Sequence, residues 1–338
     1  MMNKKILITG ITGMVGSHLA DFILKNKKNW KIYGCCRWRS DVFNINHLFQ
    51  ENIYNKKVFL RYMDLTDLSS VQEIVNEVKP DIVFHLAAQS FPKASFNMRT
   101  LTFETNIIGT DNLLHSLKEL KHQPIIHICS SSEVFGRVSK KELPIDENCR
   151  FHPASPYAIS KIGTDLIANF YFESYKMKIL TTRMFTHTGP RRGDYFMEST
   201  FAKQIAMIEA NYQKPIVYVG NLNTLRTISD VRDAVRAYCL LVTKKPKFGE
   251  TYNIGGSYTA TAKQILNFLI KQSHVKKIKI KIDKNRLRPI DADLQIPNSN
   301  KFKKHTKWKP EIKFEQTMID LLNYWRERIN KNGPIINR

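Results

Sequence analysis

Tyr157 and Lys161 stand four residues apart on a segment that Ser155-Pro156 is suited to start as a helix, so both side chains project from one face. A phenol with an ordinary pKa of about 10 is a poor base at neutral pH. A cation held beside it favours the phenolate, which can then take a proton from an alcohol. The pair alone is a common coincidence on an amphipathic helix. It gains weight from Cys129-Ser130-Ser131-Ser132, which closes an apolar strand; a serine there supplies the hydroxyl that completes such a site, and Ser131 is the residue expected to do so. Glu133 follows at once. A carboxylate at the C-terminal end of a strand faces the ligand crevice of an open α/β sheet and can act as acid or base on a carbon next to a carbonyl. The competing readings of Glu133 are a structural carboxylate or an acceptor for a substrate hydroxyl.

Proton removal from an alcohol calls for a hydride acceptor, and the N-terminus offers a place for one. Thr9-Gly10-Ile11-Thr12-Gly13-Met14-Val15-Gly16 spaces its glycines as GxxGxxG between an apolar strand and a helix. That context, more than the glycines, points to a dinucleotide: the turn is tight, the backbone is open to close approach, and the helix N-terminus faces a pyrophosphate. Gly10, Gly13, Met14, Val15 and Gly16 are the contacts expected from this loop. The second strand ends in Cys35-Cys36-Arg37-Trp38-Arg39 with no acidic residue for a ribose diol. Arg37, with Arg39, suits a 2′-phosphate instead, so NADP is expected, with NAD possible; the bland alternative is a pair of surface or interface arginines. Asp64 and Leu65 are placed to meet the adenine. Leu86, Ala87 and Ala88 end the fourth strand as small residues along the cofactor, where Lys161 and Tyr157 would reach the nicotinamide end.

The elements that must position these groups alternate. Apolar runs at Lys5–Ile8, Lys31–Cys35, Val58–Tyr62, Ile82–Leu86, Ile125–Cys129 and Ile179–Arg183 read as strands, with helices near Val15–Lys25, Thr100–Lys118 and Pro156–Ser174. Strands separated by helices imply a parallel sheet with right-handed crossovers. The expected fold is therefore α/β: a Rossmann-type doubly wound parallel sheet over 1–183, with a smaller mixed α/β substrate domain over 184–338, elements of which may interleave with the first. In the second part, helices are expected over Phe201–Ala210, Val231–Leu241 and Ala262–Gln272, with strands at Ile216–Tyr218, Glu250–Ile254 and Lys277–Ile282.

The 338 residues are 42% hydrophobic, enough for such a core. No apolar run is long enough to span a membrane, and the N-terminal run is too short for a signal peptide. Five cysteines with no CxxC pair suggest neither disulfides nor zinc, and no metal site is expected. A cytoplasmic protein with no membrane partner follows. The net charge of +23 is scattered, with local excesses near 276–284 and 301–309, and lacks the aromatic interleaving of a nucleic-acid surface. No nucleic-acid partner is expected.

Together these residues resemble the extended short-chain dehydrogenase/reductases, and most closely the GDP-mannose 4,6-dehydratases, over nearly the whole chain. Ile8-Thr9-Gly10-Ile11-Thr12-Gly13, Leu86-Ala87-Ala88-Gln89-Ser90, Ser132-Glu133, Ser155-Pro156-Tyr157-Ala158 with Lys161, and Gly189-Pro190-Arg191-Arg192-Gly193 carry the resemblance. Gly220-Asn221-Leu222 with Arg226, and Arg288-Pro289 followed by Asp291, resemble that family's nucleotide-binding tail. The resemblance implies a GDP-sugar substrate held by Ser90, Ser132, Thr186, Arg192, Asn221, Arg226, Arg288 and Asp291, and a homo-oligomer, dimer or tetramer, paired through the helices near 100–118 and 156–174. It implies loss of water between C5 and C6 of the sugar by internal hydride transfer. Four departures are visible. Ser131 stands where the family usually has Thr, Thr186 where it has Asn, and Asp291 where it has Glu. Residues 227–233 look nearer to the GDP-4-keto-6-deoxymannose reductases, so the sugar stays open between GDP-mannose and a GDP-manno-heptose. A 4-dehydrogenase, 4-keto reductase or epimerase on the same fold remains the alternative reaction, since a Ser-Glu pair also occurs in nucleotide-sugar decarboxylases. A non-catalytic NADP-binding regulator is the alternative of another class, disfavoured by the intact Ser131, Tyr157 and Lys161.

Overall fold

The computed structural model describes residues 3–290 and 292–334. Seven parallel strands form the main sheet: β1 (Lys4–Thr9), β2 (Trp30–Cys36), β3 (Val58–Tyr62), β4 (Ile82–His85), β5 (Ile125–Ser131), β6 (Lys178–Met184) and the strand Thr251–Ile254. Their spatial order is Thr251–Ile254, β6, β5, β4, β1, β2, β3. The order reverses between β1 and β4, which is where an open parallel sheet leaves a crevice at its strand C-termini.

Both faces of the sheet are covered, which explains why the strands read as continuous apolar runs rather than alternating ones. Ile6 and Ile8 of β1 enter one core with Leu19, Tyr238 and Leu241, beneath α1 (Met14–Asn26) and the helix Val231–Thr243. Leu7 enters the opposite core with Val71, Leu113 and Ala168. That face carries α2 (Leu68–Val78), the short α3 (Pro92–Ser95) and α4 (Arg99–Phe103), α5 (Gly109–Lys118) and α6 (Pro156–Tyr175). The strand Thr251–Ile254 pairs with β6, and Val231–Thr243 packs over the same sheet. A cut at residue 183 therefore leaves one strand and one covering helix of the large sheet on its C-terminal side.

The remaining C-terminal elements build a third core around Phe201, Ile205, Ile228, Leu266, Met318 and Trp325. Helices Met197–Glu209, Ala262–Lys271 and Phe314–Asn332 surround a small mixed sheet. In it Leu225–Asp230 pairs antiparallel with Tyr258–Thr261 and parallel with His187–Thr188 and Leu294–Gln295. Ile216–Val219 and Lys279–Ile282 form a separate parallel pair.

The helix expected over Thr100–Lys118 is one helix interrupted by a widened turn at Glu104–Ile108. The cause is local packing. Gly109 lets the chain pass Leu65, where a Cβ would sit 2.8 Å from the Leu65 Cβ. The widened turn frees the Asn106 carbonyl, which accepts hydrogen bonds from Thr110 Oγ1 (2.6 Å) and Thr164 Oγ1 (3.1 Å). Wide turns of this kind inside helices often mark functional positions.

Candidate active site

At the end of β1 the chain turns into α1 with Gly10 at φ +73°, and Gly10 N donates to the Cys35 carbonyl of β2 at 2.9 Å. A Cβ on Gly10 would lie 2.9 Å from Ala87 backbone atoms, and one on Gly16 would lie 2.3 Å from the Gly10 carbonyl oxygen. Gly13 caps α1 without a side chain, and Met14 and Val15 start the helix. The first-turn N–H groups thus face outward with no side-chain acceptor over them and no acidic residue in the turn, an arrangement that fits a dinucleotide pyrophosphate. Leu86, Ala87 and Ala88 follow β4 directly above this loop. Thr9 Oγ1 accepts from both Leu86 N and Ala87 N at 3.1 Å and bonds His85 Nδ1 at 2.9 Å.

Arg37 is exposed just beyond the end of β2, one residue past Cys36. The Arg39 guanidinium lies 4.6 Å over the ring of Trp38. Asp64 holds its own turn, its Oδ1 accepting from Thr66 N at 3.0 Å, while the Leu65 carbonyl accepts from Asn112 at 2.8 Å.

Ser131 ends β5 and Tyr157 lies in the first turn of α6, where Ser155 accepts from Ala158 N at 3.1 Å. Tyr157 N donates to Ser95 Oγ at 3.0 Å, which joins α6 to α3. Burial pushes the Tyr157 phenol above its ordinary value; the Ser131 hydroxyl and the Arg192 guanidinium oppose that rise. Lys161 sits one turn on and is buried, with its Nζ donating to the Cys129 carbonyl at 2.7 Å. Burial lowers its pKa, opposed by the buried Asp165 carboxylate. Lys161 was the cation expected to act on the phenol. Its bond to the Cys129 carbonyl leaves two ammonium donors for that role, and the Arg192 charge also works against the rise in the Tyr157 pKa.

Glu133 N donates to Ser131 Oγ at 3.2 Å, so Ser131 caps the short helical turn that places Glu133 just past the end of β5. Glu133 Oε2 lies 4.0 Å from Arg288 Nη1, which brings the nucleotide-tail segment to the sheet edge. Ser132 is buried beside it, while Ser90 is exposed at the crevice mouth. The Thr186 carbonyl accepts from Ser229 N at 2.9 Å. Arg192 stacks 3.4 Å over Phe196 and lies 3.4 Å from the buried Glu198. Asn221 Oδ1 accepts from Asn223 N at 3.0 Å, and Arg226 donates to the Ala292 carbonyl. Asp291 lies outside the described residues.

Sequence reading missed a buried polar network behind these groups. Asn106, in the widened turn, accepts from Gln89 N (2.8 Å) and donates to the Gln89 carbonyl (3.0 Å) and to Ser160 Oγ (2.9 Å). It clamps the cofactor-side loop after β4 to α6. Thr9 donates to His85 Nδ1 because its oxygen already takes two N–H bonds, so His85 is an Nε2–H tautomer donating to Thr110 Oγ1 (3.0 Å). Burial holds His85 neutral, its pKa lowered to about 3. An Asn and a Thr in mid-helix, both poor helix formers, were the available signal.

Fold and site together define an extended short-chain dehydrogenase/reductase, an enzyme built to hold NADP or NAD. The family model described as GDP-mannose 4,6 dehydratase matches residues 7–321. The chain is similar to the GDP-mannose 4,6 dehydratase of Drosophila melanogaster, at 30% identity over 98% of this chain and 88% of that protein. It is also similar to the GDP-6-deoxy-D-mannose reductase of Pseudomonas aeruginosa, at 27% identity over 98% of this chain and 100% of the relative. Among solved structures, RMD from Pseudomonas aeruginosa complexed with NADPH superposes with a TM-score of 0.81 at 26% identity, covering 96% of this chain and 99% of that one. The chain belongs to the GDP-mannose 4,6-dehydratase family.

Proposed function

We propose that this enzyme converts a GDP-linked manno-configured sugar, GDP-mannose or a GDP-manno-heptose, to its 4-keto-6-deoxy form. Tyr157 takes the proton of the 4-hydroxyl, with Ser131 bonding the same oxygen and Lys161 reaching the nicotinamide ribose. A bound nicotinamide supplies the acceptor for hydrogen at C4 and its donor at C6. The 4-keto group acidifies C5–H; Glu133 removes that proton, and water leaves from C6 with Glu133 or a nearby hydroxyl as acid. Ser90, Ser132, Thr186 and Arg192 hold the sugar in this reading, and Asn221, Arg226, Arg288 and Asp291 the nucleotide, with the two guanidiniums on its diphosphate. Gly10, Gly13, Met14, Val15, Gly16, Arg37, Asp64, Leu65, Leu86, Ala87 and Ala88 serve the dinucleotide.

The observation that carries this reading is the position of Glu133, two residues past Ser131 at the end of β5, with its carboxylate 4.0 Å from Arg288 Nη1. Elimination needs a base for the C5 proton, which a redox step at C4 alone does not. Incubation with GDP-, UDP- and dTDP-sugars followed by mass spectrometry tests it: a GDP-sugar should lose one water with no net consumption of cofactor. Unchanged sugar mass with net oxidation of NADPH would favour the second reading, a 4-keto reductase. The reductase relative and the reductase-like segment 227–233 support that alternative.

A homo-oligomer is part of the same proposal. Ile108, Ile159, Leu166 and Phe170, each about half-exposed or more, make one apolar face of the helical layer that carries the widened turn and α6. Exposed apolar area of that kind commonly marks a subunit interface.

A further inference from the structure

The pole of the molecule opposite the crevice carries a charge excess that the proposed reaction does not use. The seven strands start in rows, Ile6 beside Ile82 beside Ile125, and Ile125 beside Lys178, so their N-terminal ends form one edge. The segments entering that edge are 3–4, 26–30, 49–58, 78–82, 118–125, 175–178 and 243–251. The short helix Asn300–Thr306, with Lys307, lies against the last of them, since His305 Nε2 bonds the Lys245 carbonyl at 3.0 Å. These 51 residues hold seventeen lysines, four carboxylates and no arginine, a surplus of 13 out of the chain's +23. An even spread of charge would place about a quarter of that surplus there. Fourteen of the lysines are exposed.

Lysines after helices have an ordinary explanation, because helix C-termini carry about half a negative charge each. Five helices end at this pole: α1, α2, α5, α6 and Val231–Thr243. They account for roughly 2.5 charges, leaving most of the excess unexplained. Within the pole lies an open hollow of about 270 Å³, with Leu24 and Trp30 in its lining and Lys27, Lys28 and Lys57 around them.

We infer that this pole is a docking surface for the anionic face of a phospholipid bilayer, with the hollow taking a headgroup phosphate. A bilayer asks only for ammonium groups brought near a plane, each worth about fivefold in binding. Lysine serves that purpose as well as arginine, whereas base or bidentate phosphate reading in nucleic acid favours arginine forks and stacking rings. No helix among the described residues is long and apolar enough to cross a membrane, so the association is peripheral, and it revises the expectation of no membrane partner, which rested on the lack of a spanning run. Docked this way, the protein turns the crevice toward solution.

The test is flotation of the full chain with phosphatidylcholine vesicles, with and without phosphatidylserine, at low and raised salt. Binding should require phosphatidylserine and fall with salt. Replacing Lys56, Lys121, Lys244 and Lys247 by Gln should weaken it by roughly several hundredfold, at about fivefold per charge. The same change at Lys263, Lys276, Lys279 and Lys281, outside the pole, should alter it far less, and the pole variant should keep wild-type turnover. The inference is overturned if the intact chain ignores phosphatidylserine at low salt, if both variants lose binding equally, or if inorganic phosphate or a mixed-sequence RNA binds the pole in preference to vesicles. None of these outcomes touches the proposed reaction, which the sugar-mass measurement tests separately.

Discussion

Asn106→Ala is the change that most directly tests how the site is held. The Asn106 side chain is buried and makes three bonds at 2.8–3.0 Å, two to the backbone of Gln89 and one to Ser160 Oγ. Truncation leaves the N–H and carbonyl of the half-buried Gln89 without that partner. A buried group stripped of its partner costs about 1–3 kcal/mol. With two backbone groups affected and partial relaxation, the loss should be about 3 kcal/mol, read as a lower urea midpoint at an unchanged slope. The same clamp sets the loop after β4 against the dinucleotide turn, because Ala87 lies where a Cβ on Gly10 would clash. Cofactor affinity should therefore fall at least tenfold, while nucleotide affinity, which depends on the C-terminal elements, should hold. An unfolding midpoint within about 0.5 kcal/mol of wild type, the usual range for surface changes, would refute the clamp. So would unaltered NADP affinity.

Glu133→Gln keeps size and one acceptor but cannot take a proton from carbon, so water loss should slow by roughly 10²–10⁴. A 4-keto sugar that retains its C6 oxygen should then be found by mass spectrometry, and water loss at the normal rate would remove Glu133 from the base role. Wild type should bind NADP more tightly than NAD, and Arg37→Ala should erase the difference; calorimetry with both cofactors decides. Lowering the pH should destabilise the fold through His85 and His127, both fully buried and both lowered by burial to about 3. Each is neutral when folded and takes a proton on unfolding below its ordinary value of about 6.5. Stability is then lost as pH falls from that value toward the folded one, by about 2 kcal/mol per histidine between pH 6.5 and 5. Urea midpoints across that range check the sign, and a flat profile would contradict it.

What could be read from the sequence was what neighbouring residues encode. Ile6–Ile8 and Ile82–Phe84 are apolar on both sides because helices cover both faces, and the glycine turn between β1 and α1 needs nothing distant to be recognised. Pro156 after a capping serine marked the start of the helix that holds Tyr157 and Lys161. Helix α2 is equally local: Asp67 accepts from Ser69 N, and Val71, Ile74, Val75 and Val78 keep the helical period. Leu225–Asp230 was not legible, since Arg, Thr, Ser and Asp dominate it; its burial depends on three strands that arrive from positions 187, 258 and 294.

The same limit governs the site. Ser131, Glu133, Tyr157 and Lys161 follow from strand end and helix start, which are local. The partners that set their electrostatics do not. Arg192, from the loop before the helix Met197–Glu209, opposes the rise in the Tyr157 pKa, and Arg288, from the chain's last third, lies 4.0 Å from Glu133. Lys161, the neighbour that spacing nominates for the phenol, is held in place by the Cys129 carbonyl of β5, a partner that spacing does not show. The local pattern thus names the groups that do the chemistry. Burial, which only the folded chain supplies, raises the Tyr157 phenol and lowers Lys161, and Arg192 opposes the first of these, so replacing Arg192 should move the pH dependence of turnover.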